Sequence, residues 1–335
     1  MSHQQYSPAL TAATTSATAP ARRTYLFGAG IGSSLSPAFH NACYRARGLD
    51  WTLSRLDSTD MPAFLERVYA DDFGGSAVTM PHKSAILTHA DHVEQQAKLI
   101  GAANTIFFRT DADGQRRLVA TNTDVAGIRD SILTSLPASS RPTASGAESS
   151  SHIGLVVGGG GTTRTAVYTL RYELHCSDIY IVNRIDDEAS AIIDDFASQG
   201  VTGIHQLKTP ADVAQLRAVP RFIVNAVPSF EPQTDGEKLA RATLTAVLER
   251  GQAQGPDGER VVLEMCYFPH TWTTVCQMAQ DNGWEVIQGM EAMYHQAVAQ
   301  QLLWIPETGG VDLLAVGRRG AEEEIERRAQ GLAPL

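Results

Sequence analysis

Short apolar runs recur along this chain and alternate with segments whose apolar positions fall three and four residues apart. YLFGAGI (25–31) is an apolar run closed by glycines; SSLSP follows it, then AFHNACYRARGL with helical spacing, so the three predict strand, loop and helix. The same alternation predicts strands over 51–57 and 74–81 and helices over 61–71 and 93–101. A hairpin of 104–109 with 117–122 is expected around the Asp-x-Asp-Gly turn at 111–114. Residues 137–151 (PASSRPTASGAESSS) break the pattern with two prolines and six serines, and predict a flexible linker or surface loop. Beyond it, 153–174 reads as an apolar strand, a glycine turn and a helix. IYIVN (179–183), FIVNAVP (222–228) and VVLEMCY (261–267) are continuously apolar, as parallel-sheet interiors are. Residues 231–259, rich in Gly, Pro and charge, predict a helix with long loops. Residues 289–304 predict an amphipathic helix, and the charged run 318–330 a solvated one. No internal repeat or heptad run is present, and the alternation of strands with helices places the chain in the α/β class.

At 335 residues the chain exceeds one typical domain of roughly 100–200 residues, so two compact units are expected. A hydrophobic share of 43% against 19% charged residues is enough to build a core and excludes wholesale disorder. The formal charge of −10 argues against a nucleic-acid partner bound through counterion release. Cys43, Cys176, Cys266 and Cys276 are scattered without a C-x-x-C pair, which points to packing residues in a reduced compartment and to no metal site. No apolar stretch reaches the roughly 18–20 residues that cross a bilayer, so no membrane partner and a cytoplasmic location are expected. Residues 1–23, rich in Ala, Ser and Thr at their start, predict a disordered tail rather than a transit peptide, since no Arg precedes Arg22. The boundary between the two units is expected at the linker 137–151. Monomer and homodimer both remain open.

Chemistry concentrates at the ends of the predicted strands. A buried strand running into VVGGGGTTR and then a helix offers backbone N–H groups and the positive helix end to a pyrophosphate, with Gly158, Gly160 and Gly161 allowing close approach. The next strand ends in Asn183-Arg184, about 22 residues after Gly161, where an adenosine ribose would lie. Arg184 suits an adenine or a 2′-phosphate, but Asp186, Asp187 and Glu188 follow at once and would repel that dianion, which favours NAD over NADP. Only four lysines stand against 23 arginines, and Lys83 ends the run TMPHK. An ammonium, unlike a guanidinium, serves proton transfer when its site is tuned for it. Ser34, Ser36, Thr79, Asn104, Asn122 and Asp124 also sit at strand ends or in loops. Singly, each reads as a turn or cap residue. Together they describe a neutral, hydroxyl-binding pocket with one Lys and one Asp, suited to a polyol or hydroxy acid.

The ordered set G-x-G-S-S-L-S-P-A-F-H-N, V-T-M-P-H-K, G-A-A-N-T, T-N-T-D-x-x-G, G-G-G-G-T-T-R, N-R, N-A-V-P, Y-F-P-x-T and G-M-E-A-M-x-x-Q, from about Gly28 to Trp304, resembles the shikimate/quinate dehydrogenase family. The resemblance implies an N-terminal α/β substrate-binding catalytic domain over 24–136 with 290–335, the linker 137–151, a Rossmann dinucleotide-binding domain over 152–289, and a C-terminal helix returning to the first domain. It implies Lys83 and Asp124 as the catalytic pair, and Ser34, Ser36, Thr79, Asn104, Tyr267 and Gln296 as substrate-binding residues. For the cofactor it implies Gly158, Gly160, Gly161, Thr162, Thr163, Asn183, Arg184 and Asp186, with Ala226, Val227 and Gly289 lining the nicotinamide pocket.

Two departures stand out. Ala77 replaces the Asn of the family's Asn-Val-Thr run, and acids rather than a basic residue follow Asn-Arg-Ile, which resembles the NAD-using quinate/shikimate branch. The expected activity is reversible oxidation of the C3 hydroxyl of quinate and shikimate with NAD, NADP being the second choice. The alternatives are an NADP-dependent enzyme of shikimate alone, an enzyme of an aminated analogue, and a non-catalytic quinate-pathway regulator of the same fold.

Overall fold

The computed structural model describes residues 20–142, 152–253, 259–268 and 270–332. The expected tail up to residue 19, the linker from 143 to 151 and Pro269 of the Y-F-P-x-T run lie outside them.

The first part contains β1 (Arg22–Gly28), α1 (Ser36–Ala46), β2 (Trp51–Asp57), α2 (Met61–Val68), β3 (Phe73–Val78), β4 (His92–Val93), α3 (Gln95–Ile100), β5 (Thr105–Thr110), β6 (Arg116–Thr121) and α4 (Asp124–Ser135). Its strands form one sheet in the order β2-β1-β3-β5-β6-β4. β1 pairs in parallel with β2 and β3, while β5 and β6 make the antiparallel hairpin that the sequence pattern predicts. α2 starts at Asp60, whose carboxylate accepts from Ala63 N at 2.9 Å, and Pro62 suits its first turn.

The second part contains β7 (Ile153–Val157), α5 (Gly161–Tyr168), β8 (Asp178–Val182), α6 (Asp186–Ser198), β9 (Ile204–Gln206), α7 (Pro210–Ala214), β10 (Phe222–Asn225), α8 (Asp235–Ala253), β11 (Val261–Glu264), α9 (Thr274–Asp281) and β12 (Glu285–Gln288). The sheet order β12-β11-β10-β7-β8-β9 is parallel throughout, with helices burying apolar clusters on both faces. That order reverses at β7, so the glycine turn after it sits at a topological switch point, where doubly wound sheets bind nucleotides.

Two helices complete the chain, α10 (Gly289–Trp304) and α11 (Leu313–Ala329), and both return to the first part. α1 is packed between them: Phe39 and Cys43 share a core with Met293, Tyr294 and Ala297 of α10 and with Leu313 and Ala321 of α11. α4 and α10 also lie against each other, closely enough that a Cβ on Gly127 would stand 2.6 Å from the Ala292 carbonyl oxygen.

One expectation needs correction. The 318–330 run is not solvated throughout: it belongs to the longer α11, whose Gly317, Gly320 and Ala321 are buried against α1, because glycines and alanine spaced three and four apart let the helices approach. Residues 231–259 contain their expected helix as the 19-residue α8. The described start of the 137–151 segment is a mostly exposed 3-10 turn, Ala138–Ser140, as a surface loop would be; the Ser140 hydroxyl donates to Glu259 and its carbonyl accepts from Arg221.

Candidate active site

The ends of β1 and β3 approach so closely that Gly28, at φ +157°, could carry no side chain: a Cβ there would lie 2.4 Å from Thr79 Cγ2 and 2.7 Å from the Met80 carbonyl. The segment after β3 is thereby pinned. Thr79 N donates to the Phe27 carbonyl at 2.8 Å, the His82 ring stacks on Phe27 at 4.3 Å, and the Lys83 carbonyl accepts from Ala103 N at 2.7 Å. This brings Lys83 Nζ to 2.6 Å from Asp124 Oδ2, with the two side chains only 21% and 16% exposed. Asp124 opens α4, and its N–H is received by Asn122 Oδ1 at 3.1 Å. Asn122 also donates to the Ala102 carbonyl and to Thr165 Oγ1 of α5, tying the Asp124 turn to the helix that follows the glycine turn.

The pair stands in a cleft of about 290 Å³. Ser34, Ser36, Thr79, Lys83, Asn104, Asp124, Tyr267 and Gln296, distant in sequence, all line it, as does Gly289. Among the described residues lining it, Lys83 and Asp124 are the charged ones. Asn104 Nδ2 donates to Gln296 Oε1 at 3.2 Å, while Asn104 Oδ1 accepts from Thr105 Oγ1 and Thr123 N, each at 2.7 Å. Burial, reinforced by the Asp124 carboxylate, raises the Tyr267 pKa, which keeps the phenol protonated and available as a donor.

Sequence reasoning missed several contributors. Gln300 lies one helical turn after Gln296 and donates to Thr105 Oγ1 at 2.9 Å; that spacing on 289–304 was the available signal. The buried His40 ring bridges Gln300 Oε1 at 3.1 Å and Gln301 Nε2 at 2.9 Å, contacts that suit a neutral ring protonated on Nε2, and burial lowers its pKa to about 3. Met265 and Met293 add apolar lining. Asp57 accepts from Gly30 N and Ile31 N at 2.9 and 3.2 Å, shaping the loop that leads to Ser34.

The glycine turn opens beside this cleft. Gly158 has φ +131°, and a Cβ there would meet Thr163 Oγ1 at 2.9 Å, Val227 Cγ1 at 3.3 Å and the Ala226 carbonyl at 3.4 Å, so Ala226 and Val227 face the turn. Around Gly160 and Gly161 there is open space, no side chain caps α5, and the buried Thr163 hydroxyl has no partner. Exposed N–H groups, room and an unused hydroxyl fit a pyrophosphate. Thr162 is the next residue of that first turn. Gly289 fits because a side chain there would collide with the Glu264 and Met265 carbonyls at 2.6 and 2.5 Å.

At the ribose end, Asn183 Nδ2 donates to Glu188 Oε2 at 2.8 Å, and that carboxylate oxygen lies 2.5 Å from where a Gly159 Cβ would be. Asp186 is turned to β9 and its exit, where it accepts from Gln206 at 2.6 Å and Lys208 at 2.8 Å. Arg184 pairs with Glu237 at 2.6 Å. Glu264, fully buried at the end of β11, gathers Asn225 Nδ2, Thr273 Oγ1 and Cys266 N at 2.9–3.0 Å; burial raises its pKa despite these donors. Among the described residues no group of three or more His, Cys, Asp or Glu is placed to hold a metal ion, and no helix is long and apolar enough to cross a membrane.

Comparison with known proteins bears on this geometry. A family model described as the shikimate dehydrogenase substrate binding domain matches residues 26–106. Over 294 residues, 84% of this chain and 86% of its relative, the sequence is 40% identical to the quinate dehydrogenase of Emericella nidulans. The structure resembles the dehydroquinate dehydratase and shikimate dehydrogenase of S. pombe, at a TM-score of 0.73 and 28% identity over 90% of this chain, which spans 53% of that longer one. It also resembles shikimate 5-dehydrogenase of Thermus thermophilus, solved with NADP(H) and shikimate, at a TM-score of 0.64 and 25% identity over 89% of this chain and 99% of the other. Identity of this extent with one curated relative, joined to a common two-sheet architecture, means that the chain belongs to the shikimate/quinate dehydrogenase family, oxidoreductases that act on CH–OH groups.

Proposed function

We propose that the cleft oxidises the C3 carbinol of quinate, and of shikimate, reversibly to the ketone, with residues 24–136 and 290–335 holding the acid and 152–289 holding the dinucleotide. The observation that carries this is the ion pair of Lys83 with Asp124 in a cleft otherwise lined by neutral groups, beside an open glycine turn. A nicotinamide dinucleotide, when bound, supplies the hydride acceptor; Gly158, Gly160, Gly161, Thr162 and Thr163 would receive its pyrophosphate, and Asn183 and Arg184 would lie along its adenosine half.

In the reduction direction the ion-paired Lys83 ammonium gives its Nζ proton to the carbonyl oxygen as the carbinol C–H forms; in oxidation Lys83, once that proton has left, takes the hydroxyl proton at Nζ as the carbinol C–H is lost and the C–O bond becomes a carbonyl. Asp124 stabilises the ammonium so formed, and general base assistance of this kind contributes ~10²–10⁴-fold. Ser34 and Ser36 hold the carboxylate, with the Tyr267 phenol donating. Thr79, Asn104 and Gln296 position the ring hydroxyls, and the Asn104–Gln296 bond orients both amides before substrate arrives.

NAD is the preferred dinucleotide in this proposal. Glu188 lies against the glycine turn, and Arg184 and Lys208 are already engaged by Glu237 and Asp186, so a 2′-phosphate dianion would enter a field that repels it. The test is the near-ultraviolet absorbance of reduced nicotinamide with each acid and each dinucleotide, on the wild type and on Lys83→Ala. Turnover that is lost in the variant while both ligands still bind supports the assignment; unchanged turnover refutes it.

A further inference from the structure

Lys83 and Asp124 cancel one another, so a substrate carboxylate at Ser34 and Ser36, as proposed above, needs a countercharge from behind the lining. One source is α1 itself, whose N-cap Leu35 has no capping side chain and whose first N–H, of Ser36, is received by Ser34 Oγ at 3.2 Å. A second source stands on the far side of the serine loop. Arg328, from α11, donates through Nη1 to the Ser33 carbonyl at 2.8 Å and through Nη2 to the Ser34 carbonyl at 3.3 Å. Arg55, from β2, donates to the same Ser34 carbonyl at 2.6 Å, and its Nε is buried without a partner. Arg328 Nε also pairs with Glu324 at 2.6 Å, a carboxylate whose side chain is 2% exposed. Of the carboxylates at this loop, Glu324 pairs with Arg328 and Asp57 is taken up by the Gly30 and Ile31 N–H groups, so among the described residues the Arg55 guanidinium has no carboxylate partner and its positive charge lies directly behind the loop. The field of this cluster reaches the cleft: Arg328 opposes the rise in the Tyr267 pKa that burial and Asp124 cause, and it adds to burial in lowering that of Arg55.

We propose that Arg328, with Arg55, is the positioning and charge-selecting element of the carboxylate subsite. The two side chains fix the Ser33–Ser34 backbone and supply the potential by which the cleft prefers hydroxy acids to neutral polyols of the same shape. The C-terminal helix thus takes part in substrate choice without lining the cleft. The inference rests on the hydroxy-acid assignment made above.

The experiment compares quinate and shikimate with their uncharged methyl esters, using the full chain and its dinucleotide. Arg328→Gln is expected to raise KM for the acids on the order of tenfold with kcat retained, and to leave KM for the esters unchanged. Arg328→Lys restores most of the acid preference, and in the wild type added salt lowers that preference. Glu324→Gln, which removes the opposing charge, is expected to lower KM for the acids, a direction that damage to the fold does not produce. Acids and esters shifted alike in an active enzyme overturn the inference alone. A wild-type chain that turns over neither acid with either dinucleotide overturns the functional proposal, and this inference with it.

Discussion

Gly127→Ala sets two effects of opposite sign against each other. Gly127 lies inside α4, where alanine is favoured over glycine by about 1 kcal/mol, so helix propensity alone predicts a more stable protein. The packing predicts otherwise. The added Cβ would stand 2.6 Å from the Ala292 carbonyl oxygen and 3.1 Å from Gln296 Cβ, whereas ordinary contact begins at 3.4 Å. The nearer atom is backbone in the first turn of α10, so no rotamer change relieves the clash and the helices must separate. Overpacking of this kind costs about 1–3 kcal/mol, which exceeds the propensity gain. The displaced residues include Gln296, whose Oε1 accepts from Asn104 and Thr123, so the separation is passed to the cleft. Displacements approaching 1 Å cost as much as about 10²-fold in rate. Thermal denaturation and steady-state kinetics on the same preparation decide the matter: a lowered midpoint together with a reduced kcat/KM is expected, and a raised midpoint with unchanged kinetics refutes the packing argument.

Other outcomes follow from buried polar groups and thiols. His40 stays neutral in the folded chain down to about 3, while the unfolded ring takes its proton near 6.5, so its contribution is complete above 6.5 and is lost as pH falls from there towards 3. Urea titrations across that range should show a shallower decline for His40→Asn than for the wild type. Glu264→Ala leaves the Asn225, Thr273 and Cys266 donors without their acceptor and should cost about 3–5 kcal/mol by denaturant unfolding, far more than a surface Glu→Ala change. Cys43 and Cys176 are buried, with thiols pushed up to about 12, and Cys276 is buried too. An aromatic disulfide reagent should therefore label Cys266 first in the native protein and the remaining thiols only after unfolding; labelling of Cys43 before Cys266 would contradict the described packing.

Much of the fold was legible because each element carried one clear period. The run 51–57 and the helix 289–304 match β2 and α10 end to end, and the hairpin was announced by its turn. The short strands β4, β9 and β12 were not read: β4 and β9 have two and three residues, and the four of β12 place two apolar residues between polar ends, where the equally short β10 and β11 sit in continuous apolar runs. α11 was misread because its packing face is made of Gly317, Gly320 and Ala321, residues that a hydropathy pattern does not count as core. In the cleft, the residues that present their own polar groups were readable from motif and residue type. Those that act through another group, such as Gln300, His40 and Asp57, depend on three-dimensional neighbours and leave little trace in order along the chain.

The placement of α1 between α10 and α11 has a consequence for synthesis. The ribosome releases Phe39 and Cys43 long before Met293 and Leu313, so the nascent first sheet carries an uncovered greasy helix while the whole parallel sheet is translated and folds. The lobe made first is therefore sealed last, and a variant that slows docking of the final two helices should betray itself as aggregation during expression even when the finished protein is stable.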